Sequence, residues 1–171
     1  VAQLREAGSD YPDWVTDRYL EIPDAITPRT RALAEGIAEG SENPYEIASA
    51  VTRYLRDTIR YSEVITGTPS PDQDPLDWFL FDVKVGFCNY YASSEVILLR
   101  LLGIPARLAV GFGAGERQVG TNTYLVYERN AHAWPEVYFP GFGWIEFEPT
   151  VSEDPIIRPL GDVGADDERD P

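Results

Sequence analysis

Two periods run through this sequence. Up to Gly103 the apolar residues fall three and four apart; beyond it they gather in short runs rich in β-branched and aromatic side chains. Thr27-Pro28 opens the first helical stretch, a capping hydroxyl followed by proline in the first turn. Leu33 and Ile37, with Ala34 or Ala38, then share one face up to about Gly40. Asn43-Pro44 opens a second helix, with Tyr45, Ile47, Ala48, Val51, Leu55 and Ile59 in register to about Arg60. From Cys88 to about Leu102 the stripe Ala92, Val96, Leu99, Leu102 is widened by Ile97, Leu98 and Leu101 until little of the helix can face water. That pattern predicts a central, mostly buried helix.

After Gly103, residues 104–112, 122–127, 132–139 and 144–147 read as four strands. Residues 113–120 form a loop, and Pro140-Gly141-Phe142-Gly143 a tight turn between the last two strands. Helices first and an antiparallel sheet afterwards make an α+β fold, with the central helix packed on the sheet. Residues 1–26, with aromatic residues irregularly spaced among acids and prolines, read as an arm packed on the domain. Residues 27–151 are the domain itself, and 152–171 an acidic, proline-containing linker or tail whose last third is expected to be disordered. Residues 61–76 carry Pro69, Pro71 and Pro75 and predict a loop. The apolar segment Asp77-Trp78-Phe79-Leu80-Phe81 that follows is expected to line the same cleft as Cys88.

Composition narrows the chemistry. The chain has 171 residues and a formal net charge of −15. It has no basic surface to neutralise a run of phosphates or to hold an anionic membrane, which excludes nucleic acid as a partner. One cysteine and one histidine cannot build a thiolate-rich zinc site or an internal disulfide, so neither a metal nor a cofactor is expected. No apolar run is long enough to span a bilayer. A first residue of Val and the absence of Met point to a fragment or processed form.

The single cysteine, Cys88, stands where the loop enters the central helix. There the positive end of the helix dipole and the unpaired backbone N–H groups of the first turn favour thiolate over thiol, and the Cys88 N–H points where an oxyanion could form. The single histidine, His132, opens the third strand. A turn centred on residues 140–142 sets His132 roughly opposite Glu148, and both numbers are even, so strand alternation can place them on one face. A carboxylate there could hold the imidazole in one tautomer and stabilise imidazolium. Glu136 and Glu146 share the parity. Glu136, however, lies four residues along the same strand, about 13 Å away, and Glu146 is displaced by one pleat. Cys88, His132 and Glu148 are therefore the candidate nucleophile, acid/base and orienting carboxylate. The alternatives are ordinary: a small buried thiol, solvated glutamates on a strand edge, and Trp134 and Trp144 as core packing. Gly111 and Gly113 read as a turn rather than a phosphate loop.

Several ordered motifs sharpen this reading. Gly86-Phe87-Cys88 through Tyr91-Ala92-Ser93 is followed by Leu99-Arg100-Leu101-Leu102-Gly103-Ile104-Pro105-Ala106-Arg107 and then Val110-Gly111-Phe112. His132-Ala133-Trp134-Pro135-Glu136-Val137-Tyr138, Gly143-Trp144 and Phe147-Glu148-Pro149-Thr150 come later. Over about residues 17–150 the sequence resembles the transglutaminase-like superfamily, and Asn43-Pro44-Tyr45 with the segment 77–81 resembles its bacterial branch. The resemblance implies a papain-like core and a Cys–His–Asp triad carried by Cys88, His132 and, in the aspartate's place, Glu148. Asn89 stands where this branch often has glutamate. The resemblance further implies thioester chemistry on a protein or peptide acyl donor, with an amine acceptor (protein-glutamine γ-glutamyltransfer) or water (peptidase or amidase action on envelope peptides). A catalytically silent binding or scaffolding domain is the reading from another class, and it predicts an unreactive Cys88. By analogy the domain is extracytoplasmic, periplasmic or at the cell surface, as part of a membrane-anchored parent.

Overall fold

The computed structural model describes residues 1–161; the expected disorder at the end of the tail concerns residues outside that range. The arm carries two short helices, α1 (Ala2–Arg5) and α2 (Asp13–Tyr19). Helices α3 (Pro28–Ala38) and α4 (Pro44–Thr58) begin where the sequence places them. The Thr27 hydroxyl accepts from the Thr30 N–H, the Asn43 carbonyl oxygen accepts from the Glu46 N–H, and each helix has proline in its first turn. Each such cap is worth about 1 kcal/mol. The stripe Ala48, Val51, Leu55 of α4 is fully buried.

The segment read as irregular holds two departures from expectation. Strand β1 (Arg60–Tyr61) pairs in parallel with β2 (Val85–Gly86), closing the long loop just ahead of Cys88. Between them come α5 (Pro75–Asp77) and a π-helical turn, Trp78–Val83, ended by Lys84 in the left-handed region at φ 48°. This apolar turn does not line the cleft with Cys88. Phe79 and Leu80 are buried beneath it, with the Phe79 ring 5.3 Å from Tyr90 and 6.2 Å from Tyr91. Four-residue helical spacing is broken here because a wider turn lets Phe79 reach the core. Asp77, only 3% exposed, ties the turn to α3: its carboxylate accepts from Arg29 and from the Thr27 hydroxyl at 2.6 Å.

Helix α6 (Cys88–Leu101) is the central helix, with Tyr91, Ala92, Ser94, Glu95, Val96, Leu98 and Leu99 buried. It ends in a Schellman motif. Gly103 sits at φ +74°, Gly103 N–H donates to Arg100 and Ile104 N–H to Leu99, so the chain reverses where only glycine fits without strain. The sheet is three-stranded, in the order β3 (Ala106–Phe112), β6 (Ala131–Phe139), β7 (Gly143–Glu146), all antiparallel. The expected strand over 122–127 does not join it. Only β5 (Tyr124–Leu125) forms, paired with β4 (Glu116–Arg117) in a separate hairpin. Its apolar residues Tyr124, Leu125 and Val126 remain exposed, so β-propensity there found no core to pack against. In β6 the odd positions Ala133, Pro135, Val137 and Phe139 are buried and the even ones are partly exposed.

The arm covers part of the sheet. Trp14 meets Tyr138 edge-on at 5.8 Å, Tyr19 meets Trp144 at 4.6 Å, and the Arg107 guanidinium lies 4.3 Å over the Trp144 ring. Beyond β7 the chain runs extended along the domain. Val1 and Ala2 N–H groups donate to the carbonyls of Pro159 and Leu160.

Candidate active site

Cys88 is the first residue of α6, partly exposed, and Phe87 before it offers no side-chain cap. The first-turn N–H groups of α6 are thus left without a side-chain acceptor, the arrangement that receives an oxyanion. Gly86 sets the entry angle. A Cβ on Gly86 would lie 2.8 Å from the Phe79 ring and 2.9 Å from Tyr90, so glycine is what lets this strand pass so close to α6.

Cys88 and His132 line the same cleft, about 550 Å³, with Gly111, Phe87, Asn89 and Thr150 among the other walls. The Asn89 side-chain oxygen lies 3.8 Å from Sγ, within reach of a weak S–H contact. His132 stands opposite Gly111 in the β3–β6 ladder. The absence of a side chain at Gly111 has a purpose: a Cβ there would come within 3.0 Å of the Trp134 ring. Trp134 in turn stacks on His132, centroids 5.9 Å apart and planes 21° apart, fixing the face of the imidazole.

Glu148 stands behind His132. Its Oε2 is 2.6 Å from His132 Nε2, and the two side chains are 12% and 10% exposed. Glu148 Oε1 accepts the Thr150 N–H at 2.8 Å, so both carboxylate oxygens are engaged. The segment is held from α4: Arg56 Nη1 donates to the carbonyls of Glu148 and Thr150, at 3.1 and 2.7 Å. With Glu148 on Nε2, Nδ1 is the ring nitrogen left for proton exchange with the thiol.

The three side chains singled out in the sequence thus come together, by a route slightly different from direct pairing. The ladder sets Glu146 opposite Glu136, and Phe147 N–H continues it to the Pro135 carbonyl at 2.9 Å. In that register Glu148 follows on opposite Trp134 and reaches His132 diagonally, which the longer glutamate side chain permits. Glu136 is bound instead to Arg107 at 2.6 Å, and Glu146 lies on the exposed side of β7. Two contributors were not singled out, Arg56 and Glu95. Arg56 left no legible signal, since its partners are main-chain carbonyls far along the chain. Glu95 did leave one. It falls on the buried stripe of α6, three residues after Ala92 and four before Leu99, where a carboxyl needs an explanation.

Comparison with known proteins places this geometry. Residues 31–149 match the model of the transglutaminase-like superfamily. The chain belongs to that superfamily. It is 40% identical over 153 residues to protein YebA of Bacillus subtilis and 35% identical over 139 residues to the protein-glutamine gamma-glutamyltransferase of Pseudomonas aeruginosa. Those alignments cover 86% and 81% of this chain, which spans 20% of the length of each relative. Among solved structures, the periplasmic domain of TgpA from Pseudomonas aeruginosa superposes with a TM-score of 0.72 at 33% identity, over 82% of this chain and 48% of that one. The mixed helix and antiparallel-sheet architecture is accordingly the transglutaminase-like, papain-like fold, whose members are typically cysteine-dependent enzymes. No helix among the described residues is long and apolar enough to cross a membrane.

Proposed function

We propose that this domain transfers acyl groups through a thioester on Cys88, with a peptidyl glutamine as donor and a primary amine as acceptor. The observation that carries the reading is the shared cleft of Cys88 and His132 with Glu148 2.6 Å behind the imidazole. His132 takes the thiol proton at Nδ1 while Glu148 holds Nε2–H and stabilises the imidazolium. The thiolate adds to the γ-carboxamide carbon, and the oxyanion faces the first-turn N–H groups of α6. The C–N bond breaks, His132 returns the proton to the departing ammonia, and the thioester remains. An incoming amine then attacks the thioester, gives its proton to His132 and releases the thiol with a new amide bond.

Water in place of the amine would make the same site an amidase or peptidase. Cys88 is partly exposed, which supports water reaching the thioester. The similarity to a periplasmic domain supports an extracytoplasmic setting in a longer, membrane-anchored chain. A reporter fusion that is active only in the cytoplasm would refute that placement.

The experiment uses a glutamine-containing peptide and a fluorescent primary amine. Incorporation of the amine with stoichiometric ammonia release is expected from the wild type, and none from Cys88→Ala. Ammonia release with the peptide's glutamine converted to glutamate, and no amine incorporated, would replace transfer with hydrolysis. Equal activity in Cys88→Ala, or a Cys88 that iodoacetamide alkylates no faster than a free thiol, would remove the enzymatic reading and leave the silent binding domain.

A further inference from the structure

Among the described residues, Asp77 and Glu95 are buried carboxyls that the chemistry above does not use; Asp77 is paired with Arg29, and Glu95 forms no ion pair. It sits on α6 two turns beyond Cys88 and is fully buried. Its surroundings count protons. Thr52 Oγ1 lies 2.7 Å from Glu95 Oε1 and 2.9 Å from the Ala48 carbonyl, one turn back on α4. A hydroxyl has one proton to give. Ser49 and Thr58, on the same helix, give theirs to the carbonyl four residues back. If Thr52 does likewise, the short contact to Glu95 needs a proton from the carboxyl itself. Glu95 Oε2 has no hydrogen-bond partner among the described residues. An ionised carboxylate there would be buried with one hydrogen bond where it needs several; a neutral acid leaves only a carbonyl oxygen unpaired.

The charged groups that act on Glu95 agree with a neutral form. Glu148, from the segment after β7, opposes a second negative charge beside it, while Arg158, from the extended tail, favours one more weakly. Arg158 is occupied elsewhere, donating to the Glu146 carbonyl and lying over the Phe147 ring. Burial, the largest influence, outweighs the Thr52 contact, which favours the ionised form when the hydroxyl donates, and pushes the Glu95 carboxyl up to about 8.

We propose that Glu95 is a positioning residue of the triad, held in the core as a neutral carboxylic acid that donates to Thr52 and leaves Glu148 as the only carboxylate charge in the core beside His132. The placement makes this consequential. Glu95 shares its helix with Cys88, its carboxyl's only hydrogen-bond partner among the described residues is on α4, and α4 also holds the Glu148 segment through Arg56. Loss of the Glu95 proton therefore places a second negative charge beside Glu148 and makes the Thr52 hydroxyl turn from the Ala48 carbonyl to donate to the carboxylate. It moves the electrostatic environment of His132 from behind the site. The inference rests on the His132–Glu148 pair of the proposed function, but its test needs no acyl transfer, so failure of one is not failure of the other.

His132 is the only histidine in the chain, so its ring nitrogens give a single, unambiguous pair of NMR signals. The experiment follows these 15N signals and the infrared band of protonated carboxyl groups from neutral to alkaline pH, in the wild type and in Glu95→Gln. At neutral pH the exposed carboxyls are ionised, so the infrared band isolates a buried acid. The expected result is a protonated-carboxyl band at neutral pH that disappears on alkalinisation, with a His132 inflection at the same midpoint. Both should be missing from Glu95→Gln, while the neutral-pH His132 signals stay in place. A wild type without the band at neutral pH overturns the proposal, as does a His132 inflection at the midpoint of that band that persists in Glu95→Gln. If Glu95→Gln does not fold, the wild type decides by whether the two midpoints coincide. Thr52→Val, which removes the hydroxyl that the acid contacts, should displace both midpoints together.

Discussion

Shortening Glu148 to aspartate gives this chain the residue usual at that place in the superfamily, and the geometry says it will do harm. The Oε2–Nε2 contact is 2.6 Å. Removing one methylene withdraws the carboxylate by roughly 1.5 Å, beyond hydrogen-bond reach. The main chain is poorly able to follow, because Arg56 grips the carbonyls of Glu148 and Thr150 and the ladder continues up to Phe147. A hydrogen bond to a charged group contributes about 1.5–3 kcal/mol, which corresponds to a loss of roughly ten- to a hundred-fold in any rate that depends on an oriented imidazole. The substrate-free assay is the second-order rate of Cys88 alkylation by iodoacetamide at neutral pH. Glu148→Asp is expected to fall toward the rate of His132→Ala. Glu148→Gln keeps the reach but has one carbonyl oxygen for two donors, the Thr150 N–H and His132 Nε2–H, and should fall as well. If Glu148→Asp alkylates at the wild-type rate or faster, the extra methylene is not what spans the diagonal, and the account of the register is wrong.

Other perturbations read the scaffold. Tyr91→Phe removes a buried hydroxyl that donates to the Ile59 carbonyl at 2.8 Å. It should cost about 1–3 kcal/mol in urea unfolding, and an unchanged midpoint would mean the carbonyl finds another donor. Gly86→Ala forces a methyl group against Phe79 and Tyr90 and should cost about 1–3 kcal/mol while slowing Cys88 alkylation; wild-type values in both would show that α6 yields freely. Asp77 is held below the ordinary carboxylate range, chiefly by the Arg29 hydrogen bond. Its contribution is therefore present above its unfolded pKa near 4 and is lost as pH falls through the lower folded value. The stability gap between wild type and Asp77→Asn should accordingly narrow on acidification below that point, and a gap constant from neutral to strongly acidic pH would contradict this.

What the sequence made legible were features with local causes. The caps at Thr27 and Asn43, the Gly103 stop, the β6–β7 hairpin and the entry of Cys88 into its helix each follow from neighbouring residues. The triad could be read because one hairpin and one helix start carry all of it. The features that escaped depend on distant partners. A π-helical turn at Trp78–Val83 exists because Phe79 must reach Tyr91, and nothing within the turn announces that. The run 122–127 has strand composition but lies outside the sheet, since pairing is decided by which edges are free. The segment 77–81 was placed beside the cleft by proximity in sequence to Cys88, whereas the Gly86 approach puts it underneath. Glu95 shows the opposite failure: its signal was present and was masked by the apolar residues around it.

The arm described above has a consequence for the order of events during synthesis. Tyr11, Trp14 and Tyr19 leave the ribosome ahead of the rest of this domain, but the rings they meet belong to Tyr138 and Trp144, and the N–H groups of Val1 and Ala2 wait for Pro159 and Leu160. Helices α3, α4 and α6 can gather among themselves as they emerge, since their contacts are closer in sequence. Within this domain the residues made earliest are thus among the last to be placed. Until the hairpin of β6 and β7 exists, the nascent chain carries a short aromatic segment with nothing to cover, and its exposure lasts while the helices and β3 of this domain are made.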